Sequence, residues 1–394
     1  MGTTSTYNLV LCMAICISLN ACAQPAGTPR PTPPAAPVQP VEAAGLRIET
    51  VATGLDHPWS VALLPEGGFL VTERPGRLRR IDAKGTMSAP IANLPPMFAQ
   101  GQGGLLDVVL APDYAASKRI YFSYSEPGPD GTAGTAVARA TLGDAALADV
   151  QVVYRQVPKL AGAMHFGSRI AFDGAGRIFI SQGERNERAT AQALDKLQGK
   201  LVRLKLDGSV PADNPFVGRS GARPEIWSYG HRNAQGMATD PRTGTLWLSE
   251  HGPRGGDELN LPAPGRNYGW PVITHGINYS GLAIPEAIGK SAPGMEQPYH
   301  VWEKSPGLSG MAFHTGRPGH PWNDSLFLGA LADRNLIRLT LDGNRIVSEE
   351  RLLGDLGERI RDVRVGPDGA VYVLTDADNG RLLRLVAPSA ASRP

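Results

Sequence analysis

The sequence predicts an all-β chain, and within that class a six-bladed β-propeller. Three observations predict it. Short apolar runs recur, each ending in a polar or small residue: GFLVTER (68–74), RIYFSYS (119–125), RIFISQGE (177–184), TLWLSEHG (245–252), SLFLGAL (325–331) and AVYVLTD (370–376). Many follow Pro/Asp/Gly turns, such as LPEGG (64–68), FDGAG (172–176), DPRTG (240–244) and GPDGA (366–370). These are strands bounded by turn chemistry, not segments of helical period. Finally, 47 Gly and 34 Pro among 394 residues favour many turns over long helices. Six such units along the body of the chain have propeller spacing with long loops. A ring of seven or eight blades and a pair of β-sandwiches are the alternatives.

Taken in order, the chain opens with a targeting segment. Leu9 to Leu19 is an apolar run of the length of a signal-peptide core, too short to span a bilayer comfortably. It ends in Leu19-Asn20-Ala21-Cys22, which looks like a lipoprotein cleavage site, although no Lys or Arg precedes Arg30. Residues 1–22 therefore read as a signal peptide, either of the ordinary cleaved type or with Cys22 lipidated. Export to the periplasm follows, as a free protein or an outer-membrane lipoprotein. Residues 23–44 are proline-rich and read as an extended tether. The propeller is expected over 45–388, with a short tail at 389–394. The strand-like LRIETVA (46–52) is expected to complete the last blade and close the ring.

Composition excludes several function classes. Hydrophobic residues make up 42% and charged residues 19%, enough for a sizeable core. The formal net charge is +2 with no long basic run, which disfavours nucleic acid as a partner. All three cysteines (Cys12, Cys16, Cys22) fall in the targeting segment. The body thus has no disulfide, no thiolate metal site and no catalytic Cys. P-loop, HExxH, GxSxG and CxxC motifs are absent, and so is the CxxCH of an attached haem.

The motifs that carry chemistry are polar residues beside glycines. Gln102 stands in GQGGLLDV (101–108), a Gly-rich turn before a strand, where an amide can meet a ligand; a plain turn is the bland reading. His165 in MHFGSR (164–169) can take a proton near pH 7, and Arg169 beside it can hold an anion. A lone histidine is more often a packed loop residue. The stretch 227–271 is the richest. Arg232 and Asn233 pair a cation with an amide, and Glu250, Asp257 and Glu258 lie among glycines near Pro253 and Tyr268. Carboxylates mixed with outward-facing carbonyls suit Ca²⁺, and an arginine beside such a cation suits an anionic ligand. In ERIRDV (358–363), Arg359 and Arg361 alternate in a strand and so share one face.

Together these residues resemble one family, the soluble PQQ-dependent aldose sugar dehydrogenases, or glucose/sorbosone dehydrogenase family. GLDHPW (54–59), TERPGRL (72–78), GQGGLLDV, HFGSR, SYGHRN (228–233), EHGPRGGDE (250–258), NYGWP (267–271) and RIRDV (359–363) occur in order from about Gly45 to Leu385. The resemblance implies a six-bladed propeller that oxidises aldoses to lactones at the anomeric carbon by hydride transfer to PQQ. It implies His165 as general base. Arg169, Arg232, Asn233, Arg359, Arg361 and Gln102 are implied as PQQ contacts. The carbonyls of Gly252 and Pro253 are implied to hold a cofactor Ca²⁺, and Glu258 with the carbonyl of Tyr268 a structural Ca²⁺. A separate electron acceptor is implied, since the chain has no haem motif.

The chain departs from the best-known glucose-active members at two positions. They carry an Asp before the catalytic His, where Met164 stands here, and a cofactor-contacting Lys where GALADR (329–334) places Ala332, with Arg334 as a substitute. Two other readings compete: a Ca²⁺-dependent propeller lactonase with its metal in the central channel, and a non-catalytic propeller that binds envelope glycans.

Overall fold

The computed structural model describes Met1, Gly2 and residues 45–388. The signal, tether and tail segments fall outside them. Among the described residues no helix is long and apolar enough to cross a membrane, and the one α-helix spans only Tyr114–Ser117.

Six antiparallel sheets form a β-propeller. From the inner strand outward, blade 1 is Pro58–Leu63, Phe69–Glu73 and Arg77–Ile81. Blade 2 is Leu105–Leu110, Arg119–Pro127, Ala133–Leu142 and Leu147–Arg155. Blade 3 is Gly167–Phe172, Arg177–Gln182, Lys200–Lys205 and Ile226–Tyr229. Blade 4 is Ala234–Thr239, Leu246–Glu250, Asp257–Asn260 and His300–Trp302. Blade 5 is Leu308–His314, Ser325–Ala330, Asn335–Asp342 and Arg345–Leu352. Blade 6 is Ile360–Val365, Val371–Thr375 and Gly380–Val386, completed by the N-terminal Arg47–Leu55. That last strand pairs from Arg47↔Val386 to Leu55↔Gly380, so the ring closes by joining the two ends of the propeller.

The six apolar runs that announce the fold are the second strand of each blade. The innermost strands were harder to read because they carry polar side chains inward: Ser60, Asp107, Arg169, Gln235, Ser309 and Asp362, all buried. Apolar residues do not gather at the centre of the ring. They form wedges between neighbouring blades, such as Leu70 and Leu78 of blade 1 against Leu105 and Phe122 of blade 2. Trp247 and Leu259 of blade 4 pack in the same way against Leu326 and Ile337 of blade 5. Burying both sheet faces explains why the second strands read as continuous apolar runs.

The centre is held by charge. Arg169 Nη1 lies 3.1 Å from Asp107 and 2.9 Å from Asp362. Arg364 Nη2 lies 3.0 and 3.2 Å from the same two carboxylates. Asp362 also accepts from the Val61 amide of blade 1, and Asp107 from the Ile170 amide of blade 3. Four blades are thus tied together where a purely apolar filling would leave inner-strand polar groups unmet.

Candidate active site

The polar ends of the second strands gather at one mouth of the ring. There they surround a cavity of about 190 Å³ lined by Trp59, Gln102, Asn233, Gln235, Arg361 and Asp376 among others. Elements from every blade contribute, because Arg74, His251 and Leu331 also line it. A wider groove of about 700 Å³ shares His251, Leu331 and Arg359 with it and opens past Tyr279.

His165 sits on the loop leading into blade 3, beside the cavity residues Phe166 and Gly167. Its backbone is left-handed, with φ +54°, and Gly167 and Ser168 continue at +65° and +92°. Non-glycine residues rarely hold such angles without outside restraint. Here Gln102 Oε1 accepts the His165 N–H at 2.8 Å, and Asn233 Oδ1 accepts the Gly167 N–H at 3.1 Å. Gly183 must be glycine, since a Cβ there would lie 1.9 Å from the His165 carbonyl oxygen.

The ring of His165 is 4% exposed, and its Nδ1 lies 2.6 Å from Oε2 of the fully buried Glu184. A carboxylate only accepts, so Nδ1 carries a proton, and in the neutral ring Nε2 is the nitrogen with the lone pair. Nε2 makes no hydrogen bond among the described residues. Glu184 ends the run RIFISQGE, and sequence reading did not select it. A carboxylate terminating an otherwise apolar strand was the available signal.

Opposite stands a cation pair with an acid between its members. Arg359 Nη2 and Arg361 Nη2 lie 3.1 and 3.0 Å from Asp376 Oδ2. Arg361 also donates to Gln235 Oε1 at 3.1 Å, and its buried Nε has no partner. Burial alone pushes the Asp376 carboxyl up, but the Arg361 and Arg359 guanidiniums override it and pull it down to about 2. Asp376 and Gln235 were not singled out from the sequence, and both have plain strand contexts. His251, in the EHGPRGGDE motif, donates through Nε2 to Leu308 O at 2.5 Å, and burial holds its ring well below the usual histidine range.

Arg232 and Asn233 are both buried but face different ways. Asn233 lines the cavity. Arg232 donates through Nη1 to Gly252 O at 2.8 Å, lies over the Trp270 ring, and keeps an unpartnered buried Nε. Gly252, Pro253, Glu258 and Tyr268 line a small hollow next to it. There Asn260 Nδ2 bridges Glu250 (3.0 Å) and Glu258 (3.2 Å), while its Oδ1 is buried without a partner. Burial, and then the charge of Glu250, raises the Glu258 carboxyl well above its ordinary value. Among the described residues, no group of three or more His, Cys, Asp or Glu side chains is arranged to hold a metal.

Arg169 is the expected site residue that the structure sets apart. It is 1% exposed, its guanidinium is committed to Asp107 and Asp362, and it lies under the Trp59 ring at 4.2 Å. It supports the cavity floor from below. Met164 is 43% exposed. Ala332 lines the wider groove, and Arg334 turns away to the Gly357 carbonyl.

The family model for glucose/sorbosone dehydrogenases matches residues 55–384. The chain belongs to the glucose/sorbosone dehydrogenase family. It is 54% identical to aldose sugar dehydrogenase YliI of Escherichia coli K12 over 345 residues, 87% of this chain and 93% of that one. The crystal structure of the soluble aldose sugar dehydrogenase of Escherichia coli in its apo form superposes with a TM-score of 0.85, covering 87% of this chain and 100% of that one. The PQQ-bound form of aldose sugar dehydrogenase from Streptomyces coelicolor is 29% identical, with a TM-score of 0.69 over 87% of this chain and 99% of that one.

Proposed function

We propose that this chain is a PQQ- and Ca²⁺-dependent aldose dehydrogenase, exported to the cell envelope by its N-terminal segment. The observation that carries the reading is the His165–Glu184 pair beside a cavity walled by Arg359 and Arg361. A planar, polyanionic quinone fits this wall. Arg359 and Arg361 would hold its carboxylates, the Arg361 Nε, unpartnered among the described residues, would gain an acceptor, and Gln102 and Asn233 would supply amides. Trp59, Leu106 and Phe166 give an apolar floor for a ring system. Arg232, with its own orphaned Nε, stands by the Gly252–Pro253 turn. The Glu250 and Glu258 carboxylates beside the Gly252–Pro253 turn are hard oxygen donors of the kind that suit Ca²⁺, with Arg232 and His251 lining the same hollow.

When bound, PQQ supplies the two-electron acceptor and its Ca²⁺ the Lewis acidity. The chain supplies the proton chemistry. Glu184 fixes the tautomer of His165, so Nε2 is the acceptor. That nitrogen takes the proton of the sugar's anomeric hydroxyl as the anomeric carbon gives up hydride, leaving a lactone. Glu184 steadies the resulting imidazolium. The aldose enters through the wider groove, and electrons leave to a separate carrier.

The lactonase reading needs a dication in the central channel. That space is filled by Arg169 and Arg364, which already engage the Asp107 and Asp362 carboxylates that a dication would need. The test of the proposal is a titration of the purified chain with PQQ, with and without Ca²⁺, followed by absorbance and by dye reduction with several aldoses. Saturable binding with aldose-dependent reduction is expected. Absence of both, or lactone hydrolysis without PQQ, overturns it.

A further inference from the structure

We propose that Arg185 is a positioning residue, one that holds the loop bearing His165 in its left-handed backbone and so aims the imidazole; this rests on the reading of His165 as the base. Arg185 follows Glu184 in the turn after the second strand of blade 3. Both Arg185 and Asn186 take φ of +61°, which folds the turn back toward the His165 loop. The side chain is buried, 2% exposed, and its guanidinium carbon lies over the Phe166 ring, 3.6 Å from the centroid. Its Nη2 donates to Gly162 O at 2.5 Å and its Nη1 donates to Met164 O. Its backbone N–H donates to the His165 carbonyl at 3.3 Å. One residue therefore grips the chain on both sides of His165 and at His165 itself.

A buried guanidinium is an expensive way to hold a loop. Five donors leave water, and here Nε has no partner among the described residues. Burial pushes the group down to about 10, with the charge of Glu184 opposing. A methionine or leucine would fill the volume over Phe166 without that cost. What neither can do is bind two carbonyls of a strained loop in one plane while stacking on its ring. The grip matters because His165, Gly167 and Ser168 all sit at positive φ, a conformation that needs outside restraint. Gln102 restrains the same loop from the opposite side.

The experiment compares Arg185→Met, Arg185→Lys and His165→Ala in the full chain. Four readouts are taken: steady-state kinetics, PQQ affinity by absorbance, thermal stability, and ¹⁵N-imidazole NMR of the cofactor-free protein. In Arg185→Met we expect kcat to fall about 10²-fold, the scale of a misplaced catalytic group. KM and PQQ affinity stay within about two-fold of the parent, and the His165 signals leave the Nδ1–H pattern. Arg185→Lys recovers part of both effects, since an ammonium reaches the carbonyls but cannot stack. Parent-like kcat and His165 signals in Arg185→Met overturn the inference. So does a loss of PQQ affinity and thermal stability with unchanged His165 signals. If Arg185→Met fails to fold, Phe166→Leu, which removes the stacking platform, is read by the His165 signals alone, because Phe166 also lines the cavity; parent-like signals there overturn the inference. Turnover surviving in His165→Ala defeats the base assignment instead, and the NMR readout still tests whether Arg185 orders the ring.

Discussion

Nδ1 of His165 and Oε2 of Glu184 stand 2.6 Å apart with both side chains buried. Glu184 is further fixed by the Asn186 amide at 2.8 Å, so the carboxylate is a rigid partner. A single geometry therefore sets which imidazole nitrogen is basic.

Replacing Glu184 with Gln tests this directly. The amide can donate, which lets the ring turn to the other tautomer and puts the proton on Nε2. We expect kcat to fall about 10²–10⁴-fold, the usual worth of a general base. PQQ affinity measured by absorbance should change little, because Glu184 does not line the cavity.

Arg361→Met should weaken PQQ binding more than Arg359→Met. Arg361 is the more buried, with 11% side-chain exposure against 43%. Its loss leaves Asp376 facing an anionic ligand with one cation fewer, an effect of about 2–5 kcal/mol for a buried partner. Isothermal titration with PQQ measures the difference, and equal losses would contradict it.

Asp376 gives the protein an acid-sensitive limb. Its folded carboxyl is pulled down to about 2, below the ordinary value of 3.8. A depressed carboxyl stabilises the fold above the unfolded value. That contribution disappears as pH falls from about 4 through about 2. Urea midpoints across pH 2–6 should show it, and Asp376→Asn should flatten the profile over this window.

The channel network predicts a large stability cost for one substitution. Arg169→Met leaves Asp107 and Asp362 buried with only Arg364 between them. Breaking a buried ionic set by removing one member costs about 3–5 kcal/mol. Chemical denaturation should register it, whereas a change under 1 kcal/mol would mean the network contributes little.

Calcium should matter to stability as well as to turnover. Glu250 and Glu258 are pressed together through Asn260, and burial raises the Glu258 carboxyl. A raised carboxyl costs stability as pH climbs above the ordinary carboxylate range. We expect chelator-treated protein to melt lower at pH 7 than Ca²⁺-loaded protein. Glu258→Gln should remove most of that difference in a thermal melt.

Much of the fold was legible because the second strand of each blade is buried on both faces, which leaves an apolar run between turns. RIFISQGE and AVYVLTD are examples. The inner strands were not legible in the same way. LLDVVL and IRDVRV carry Asp107 and Asp362 toward the channel, and nothing local says that an aspartate in a strand has an arginine waiting three blades away. Arg359 and Arg361 were readable as a same-face pair from alternation alone. Asp376, which joins them, stands just past the end of the next strand, Val371–Thr375.

The sequence by itself determined the blade pattern, the closing strand at Arg47–Leu55, and the residue types needed for an anion, a hard cation and a proton acceptor. Strand periodicity, turn residues and side-chain chemistry are local properties. Only the tertiary structure decided which of those residues share a site. It set Arg169 beneath the floor, joined Glu184 to His165, and placed Asp376 between two arginines. Such pairings depend on closing the ring, which brings residues far apart in the chain within hydrogen-bonding distance, and no local pattern encodes that closure.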